Sequence, residues 1–586
     1  MSAWNHWVQE IADRLSEATG IKVQTSEVVR PPDTSMGEFA YACFRLAKER
    51  AKSPVEIARE IADLLKKDHP DFSEIQAVGP YVNFRLATGE AVARVIRDIE
   101  AQKERYGIVS PEKGQELLFE YANPNTHKEV HIGHLRNFVL GVALARILKA
   151  GGRNITPISY VNDVGSNVAK CLWLLVKKAN IDIRTVTLEQ AREALETVPQ
   201  EERNGKYLGN VYTEVTRVVE EDASLVEDIS FVQAQLEKHD PAWDLLWRET
   251  RRWCLDELAS IFVELGIKME RQYFESEVID EAGPLVTTLL EKGIARESDG
   301  AIIIDLEEQK LGVMMIRKSD GNLLYASKDL PLAFLKVKEY PTIAQSYVLA
   351  DFRQTLYFKQ LQAVLKKLGV VPDFDLIAYG LVTLPEGAMS SRKGNIVTYQ
   401  GLRDAVVEYA KQEIVSRHPE WNEGKVDHTA WTLAMSGIKF ALLRQDSDKN
   451  LVFDMQEALS FDGATGPYCQ YAAIRFASIL RKAGVSEKEL TGALVPEFAH
   501  ASEKALALSL AQFPSLIVLA TRDLRPSVLA QWCHETAQRM NEFYRDVPVL
   551  ESVGPQRIAR LRLIAASRQV LAQALELLGI SLPDEM

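Results

Sequence analysis

Cysteine is scarce in this chain. Five are spread over 586 residues, at positions 43, 171, 254, 469 and 533. None forms a Cys-x-x-Cys pair, so the sequence offers neither a zinc site nor a disulfide framework. A reducing, cytoplasmic setting is expected. Long apolar runs are missing too. No uninterrupted stretch reaches bilayer length, and no membrane partner is expected. Met1 to Gly20 has acids throughout and no long apolar core, unlike a secretory signal. There are no repeats and no low-complexity tracts. Positive charge is in deficit, with a net charge of -13. That argues only mildly against a nucleic-acid partner, because binding depends on where basic groups sit rather than on their sum.

The length implies several domains, since single cores rarely exceed a few hundred residues. Residues 1–110 read as an α+β module. Amphipathic helices over Trp4–Ala18 and Pro54–Lys67 flank Gly37–Tyr41, and a strand-like run, Ile75 to Leu86, closes the module. Residues 111–400 alternate short apolar runs with helices, as a parallel sheet does. Within them, about 175–260 is charged and helical and reads as an insertion between two sheet halves. Residues 401–430 connect to a region, 431–586, that is helical throughout. Its last helix runs from Pro555 to Leu578, with Gly579 where a C-cap belongs.

The stretch from Leu117 to Val161 carries the chemistry. Leu117–Tyr121 reads as a strand and Asn123-Pro124-Asn125 as a turn. Ile132, Leu135, Phe138, Val139 and Val142 recur at helical spacing, and a second apolar run spans Ile155 to Val161. In this βαβ unit a helix begins outside the carboxyl end of a strand. Its free N–H groups and partial positive charge suit a phosphate. His131 and His134 can face one ligand, and Gly133 between them removes a side chain where a flat base could lie close. Taken alone, the two histidines would read as a helix cap and a satisfied buried imidazole.

With Glu120, Asn125, Lys128 and the following Leu135-Arg136, the block resembles the HIGH motif of class I aminoacyl-tRNA synthetases, in the form typical of arginyl-tRNA synthetases. A second block, Gly387 to Asn395, resembles the KMSK loop that closes over ATP. It departs from that pattern: Ala388 and Ser391 stand where the two lysines belong, while Met389 and Ser390 match and Arg392, Lys393 and Gly394 follow. One donor aimed at transition-state charge is worth about 2.7–4 kcal/mol, so the missing charge must come from elsewhere. Lys128 is expected to take the main role, and Lys393 or Arg392 a secondary one. Many arginyl-tRNA synthetases pair such a lysine with a degenerate loop.

A guanidinium has five donors in a planar fork and needs carboxylates and neutral acceptors around one plane. The resemblance places Glu120, Tyr325, Asp329 and Gln354 around the arginine side chain and Asn125 near its α-amino end. Tyr325 and Asp329 are four apart and share a helical face. A site of such polar pairs rejects analogues lacking them by roughly 10⁴–10⁵, so no editing domain is needed, and the 175–260 insertion is too short to be one. Expected ATP contacts are His131, Gly133, His134, Met389, Ser390, Ser391 and Lys393. Mg²⁺ is expected to accompany ATP, with no zinc and no organic prosthetic group.

Phe461 to Arg475 resembles the helical anticodon-binding domain of the family, with Tyr468, Gln470, Tyr471 and Arg475 as expected RNA contacts, since aromatics and arginine suit unstacked bases. Ala559–Leu563 adds to that likeness. Gly79–Phe84 resembles the appended module that reaches the D-loop, with Tyr81 and Asn83 as base contacts.

The resemblance implies a multidomain α/β chain: a Rossmann-type parallel-sheet catalytic domain, an N-terminal α+β module and a C-terminal α-helical bundle. It implies activation of L-arginine with ATP and transfer to the terminal adenosine of tRNA(Arg), with activation dependent on bound tRNA, by a monomer. A class I enzyme for another amino acid, a small-molecule nucleotidyltransferase and an inactive RNA-binding paralogue are the alternatives. Acids at Glu120 and Asp329 oppose the first, the helical C-terminal region the second, and intact His131, His134 and Lys128 the third.

Overall fold

Leu117, Leu118 and Phe119 are buried together in one strand, the pattern of a strand covered on both faces. That strand, β1 (Glu116–Glu120), is the middle of a five-stranded parallel sheet with β2 (Asn154–Val161), β3 (Arg271–Phe274), β4 (Ile343–Asp351) and β5 (Asp373–Tyr379). The spatial order is β5-β4-β1-β2-β3, so the chain reverses direction across the sheet between β1 and β4. In open sheets of this kind a crevice forms outside the carboxyl ends of the strands at that reversal. The computed structural model describes residues 2–66, 69–111, 116–319, 321, 323–385, 397–485, 490 and 492–586.

The helix Ile132–Ala150 lies against this sheet and is buried nearly all round. Gly141 lets it approach: a Cβ there would sit 2.0 Å from the ring of Tyr121, itself 2% exposed. Gly141→Ala should therefore cost about 1–3 kcal/mol or more through overpacking. Urea denaturation of the variant checks this, and an unchanged midpoint would mean that the Tyr121 ring turns aside freely.

Two parts of this unit differ from the sequence reading. The helical insertion, built from five helices between Ser166 and Leu265 with its own apolar core, lies between β2 and β3, inside the first sheet half. Between the halves stands a three-stranded antiparallel sheet, Arg296–Ser298, Ala301–Asp305 and Val313–Arg317, which was not expected. Its apolar runs are five residues or shorter, too short to be told from loop without their partners. The helix Glu423–Leu443 packs on Tyr399–Arg417 and on Ile132–Ala150, so residues up to Leu459 belong with the parallel sheet and the boundary expected at 431 moves to about 460.

The second unit joins residues 1–109 to most of 460–586. Its sheet is antiparallel, in the order Val28–Val29, Phe39–Ala42, Tyr81–Leu86, Phe72–Val78. The run from Ile75 to Leu86 is thus a hairpin, turning at Gly79, whose φ of 55° is left-handed. Thr88–Gln102 packs on the last helix, Gly554–Leu577. The Arg562 Nε lies 2.7 Å from Glu100, and Tyr106, fully buried, stacks on Phe513 and donates to the Leu510 carbonyl. Arg560 pairs with fully buried Glu503 at 2.7 Å. The arginines of Ala559–Leu563 are therefore internal ties. Helix Ala501–Asp523 is long and apolar enough by length and composition to cross a membrane. Leu506, Leu510, Phe513 and Ile517 are buried within its unit.

Candidate active site

The crevice at the β1/β4 reversal is a cavity of about 1010 Å³. Glu120 ends β1 and pairs in register with Val348 of β4, so both strands deliver their carboxyl ends to its floor. Asn137 fixes the helix to both: its Oδ1 accepts the Ala122 N–H at 2.7 Å and its Nδ2 donates to the Leu349 carbonyl at 2.7 Å. Arg136, fully buried, donates to the Gly380 and Leu381 carbonyls and to that of Ser447. Neither tie was read from the sequence, although a polar pair inside an otherwise apolar helical run is the signal that could have found them.

His131 is the N-cap of the helix. Its Nδ1 accepts the Gly133 N–H at 3.1 Å, and His134 Nδ1 accepts the His131 N–H at 3.3 Å. The rings stack with centroids 3.9 Å apart. Burial, with Lys128 adding to it, pushes His131 down to about 4 and His134 well below its ordinary value, so both are neutral near pH 7. A neutral imidazole accepting at Nδ1 carries its proton on Nε2. Each ring thus keeps one N–H for a ligand. A side chain on Gly133 would meet the His131 ring at 2.8 Å, so this glycine is required by the histidine pair itself.

The other end of the cavity holds ionisable groups. Glu120, 4% exposed, is paired with Lys336, 3% exposed, and accepts from Asn123 Nδ2 at 2.8 Å. Glu275 is paired with Lys328. Asp329 accepts from the Tyr357 hydroxyl. Burial pushes Asp329 up to about 7; the Tyr357 hydrogen bond and Lys336 oppose this, while Glu120 and Glu275 add to it. Lys336, Tyr357, Lys328 and Glu275 were missed by sequence reasoning. Lys336 had a signal, since Asp329, Leu332, Ala333 and Lys336 fall on one helical face, and a lysine in that apolar stripe needs a buried partner.

The cavity brings together Glu120, Asn125, His131, Gly133, His134, Tyr325, Asp329 and Gln354. Tyr325 is 68% exposed at its edge. Lys128 lies outside that lining. Its ammonium sits over the Tyr212 ring, 4.8 Å from the centroid, beside a smaller cavity that shares Asn125. Met389, Ser390, Ser391, Arg392 and Lys393 lie outside the described residues. Val397, next after them among the described residues, accepts the Ile132 N–H at 3.2 Å, at the mouth of the histidine helix.

Two expected RNA contacts are corrected. Asn83 is 2% exposed, on the face of its strand opposite Val82, Phe84 and Leu86. Gln470 is fully buried and donates to the Ser581 carbonyl at 2.6 Å. Both are covered by neighbouring elements, which the local wording did not reveal. Tyr81 is 38% exposed, edge-on to Phe44. Tyr468 is half-buried against His534. Arg475 lies 4.5 Å from the rings of both Tyr471 and Tyr544 and donates to the Tyr471 hydroxyl.

A family model described as tRNA synthetases class I (R), catalytic domain, matches residues 95–455. The arginyl tRNA synthetase N terminal domain matches residues 5–86, and the DALR anticodon binding domain matches 469–586. The arginine–tRNA ligase of Bdellovibrio bacteriovorus is 36% identical, over 95% of this chain and 94% of the relative. That of Lactobacillus johnsonii is 33% identical over 99% of both. Among solved structures, the Thermus thermophilus arginyl-tRNA synthetase aligns with a TM-score of 0.68 and 26% identity, over 99% of this chain and 100% of that one. With the catalytic-domain model over its parallel sheet and relatives matched from end to end, the chain belongs to the arginyl-tRNA synthetase family of class I.

Proposed function

We propose that the protein activates L-arginine with ATP and transfers the arginyl group to the terminal adenosine of tRNA(Arg). The observation that carries this reading is one cavity with two neutral imidazole donors at a helix start and buried carboxylates at its other end. The arginine carboxylate attacks the α-phosphorus of ATP, the bond to the leaving pyrophosphate breaks, and arginyl-adenylate remains. A ribose hydroxyl of the tRNA then takes the arginyl group and releases AMP. No covalent enzyme intermediate is needed, because positioning and electrostatics suffice. His131 and His134 offer their Nε2–H groups to phosphate oxygens, with the helix N-terminus behind them. Among the described residues no cluster of His, Cys, Asp or Glu is placed to hold a metal ion. Mg²⁺ accompanying ATP would rest on its phosphate oxygens.

Lys128 takes the main charge-stabilising role by leaving the Tyr212 ring, with Lys393 or Arg392 secondary. Lys128→Ala should cut kcat for adenylate formation by about 100-fold or more. A loss short of about a tenth of that would assign the ammonium to packing on Tyr212. Tyr471 and Arg475, joined by Tyr544, offer a stacking surface for anticodon bases, and Tyr81 with Phe44 offers a second aromatic pair for the D-loop. Arginine-dependent ATP–pyrophosphate exchange, with and without total tRNA and against the other amino acids, tests the reading. Exchange with arginine only, appearing on addition of tRNA, is expected. Exchange with another amino acid would move the substrate within class I, and none at all would favour an RNA-binding paralogue.

A further inference from the structure

Tyr160 stands near the end of β2, is 8% exposed and lines the cavity. Its hydroxyl is closed off from solvent and has no hydrogen-bond partner among the described residues. Buried phenols ordinarily find one. The residue is held in place, for its N–H donates to Asn123 Oδ1 at 2.8 Å and it pairs in register with Tyr273 of β3. Burial, with the charges of Asp329, Glu275, Glu120 and Asp163, keeps the phenol protonated. Each of those acids already has partners. Glu120 takes Lys336 and Asn123, Glu275 takes Lys328, Asp163 takes Arg251 and Ser276, and Asp329 takes Tyr357.

Against Glu120, Glu275, Asp329 and Asp351 in the cavity stand three cations, Lys336, Lys328 and Arg353, the last paired with Asp351, which leaves one negative charge over. A guanidinium supplies that charge but brings five N–H donors, more than Asp329 alone can accept. We propose that Tyr160 is a specificity-determining residue whose phenolic oxygen accepts an N–H of the substrate guanidinium while Asp329 balances its charge. The assignment rests on arginine being the substrate.

The test uses the full chain with total tRNA in arginine-dependent exchange. Tyr160→Phe should raise KM for arginine about 10-fold or more, leaving kcat and KM for ATP within about threefold. The inhibition constant of agmatine, a guanidine without a carboxylate, should rise by the same factor. Tm should not fall, because the lost hydroxyl has no partner among the described residues. An unchanged KM for arginine overturns the assignment. So does a raised KM with agmatine unaffected, which would put the contact at the amino-acid end. A lowered Tm also overturns it, by showing a structural partner. If the unaltered protein ignores arginine, the functional reading itself fails; if it uses arginine and Tyr160→Phe is unchanged, only this inference fails.

Discussion

Asp329→Ala should raise KM for arginine by about 100-fold or more while KM for ATP changes little, because the truncation removes the carboxylate a buried guanidinium would balance. Equal rises in both would refute a guanidinium role. The effect should depend on pH. Burial lifts Asp329 to about 7, well above the usual carboxylate range, with Glu120 on β1 and Glu275 after β3 adding to the rise. Tyr357 on the following helix and Lys336 on its own helix act against it. Below about 7 the group is mostly protonated and offers no charge to arginine. KM for arginine should therefore fall as pH rises toward 7 and level off above it, and the alanine variant should lack this dependence. Stability of the free protein runs the opposite way. A folded pKa above the unfolded one contributes stability that is present below about 4 and lost as pH rises through about 7. Asp329→Asn cannot titrate, so its Tm should gain on that of the unaltered protein over that window.

The second large effect is on folding. Lys336→Met should destabilise the parallel-sheet unit by about 3–5 kcal/mol, since it leaves the Glu120 carboxylate buried without a counter-charge. Lys336 is 3% exposed and Glu120 4%, so the lysine, rather than water, supplies the counter-charge. Among the described residues only Asn123 would remain on that carboxylate. Arginine is itself a cation of the right chemistry for the vacated place. Saturating arginine should thus raise the denaturation midpoint of Lys336→Met more than that of the unaltered protein. A loss below about 1 kcal/mol, or equal protection by arginine, would show that the pair does not govern the charge of the cavity.

The parts of the site that lie close together in the chain could be read without coordinates. The strand–turn–helix from Glu116 to Ala150 forms as its apolar spacing predicts, with His131 at the cap and His134 one turn on. Helix capping and amphipathic periodicity are local, so residues a turn apart declare their geometry. The placement of Lys128 was not legible in this way. Its distance in sequence from His131 is short, but Tyr212, from the helical insertion, draws its ammonium aside.

Sequence by itself determined the strand–turn–helix of the histidine block, the class of the main sheet, the histidine cap and the candidate acids Glu120 and Asp329, because each follows from short-range pattern or from wording shared with a family. Only the tertiary structure decided what those acids are paired with, that Asn83 and Gln470 are covered, and that residues 1–109 share a core with the C-terminal helices. Lys336 reaches Glu120 across 216 positions and Arg562 reaches Glu100 across 462. Charge compensation and burial depend on what packs from far along the chain, and no window of local sequence contains that information.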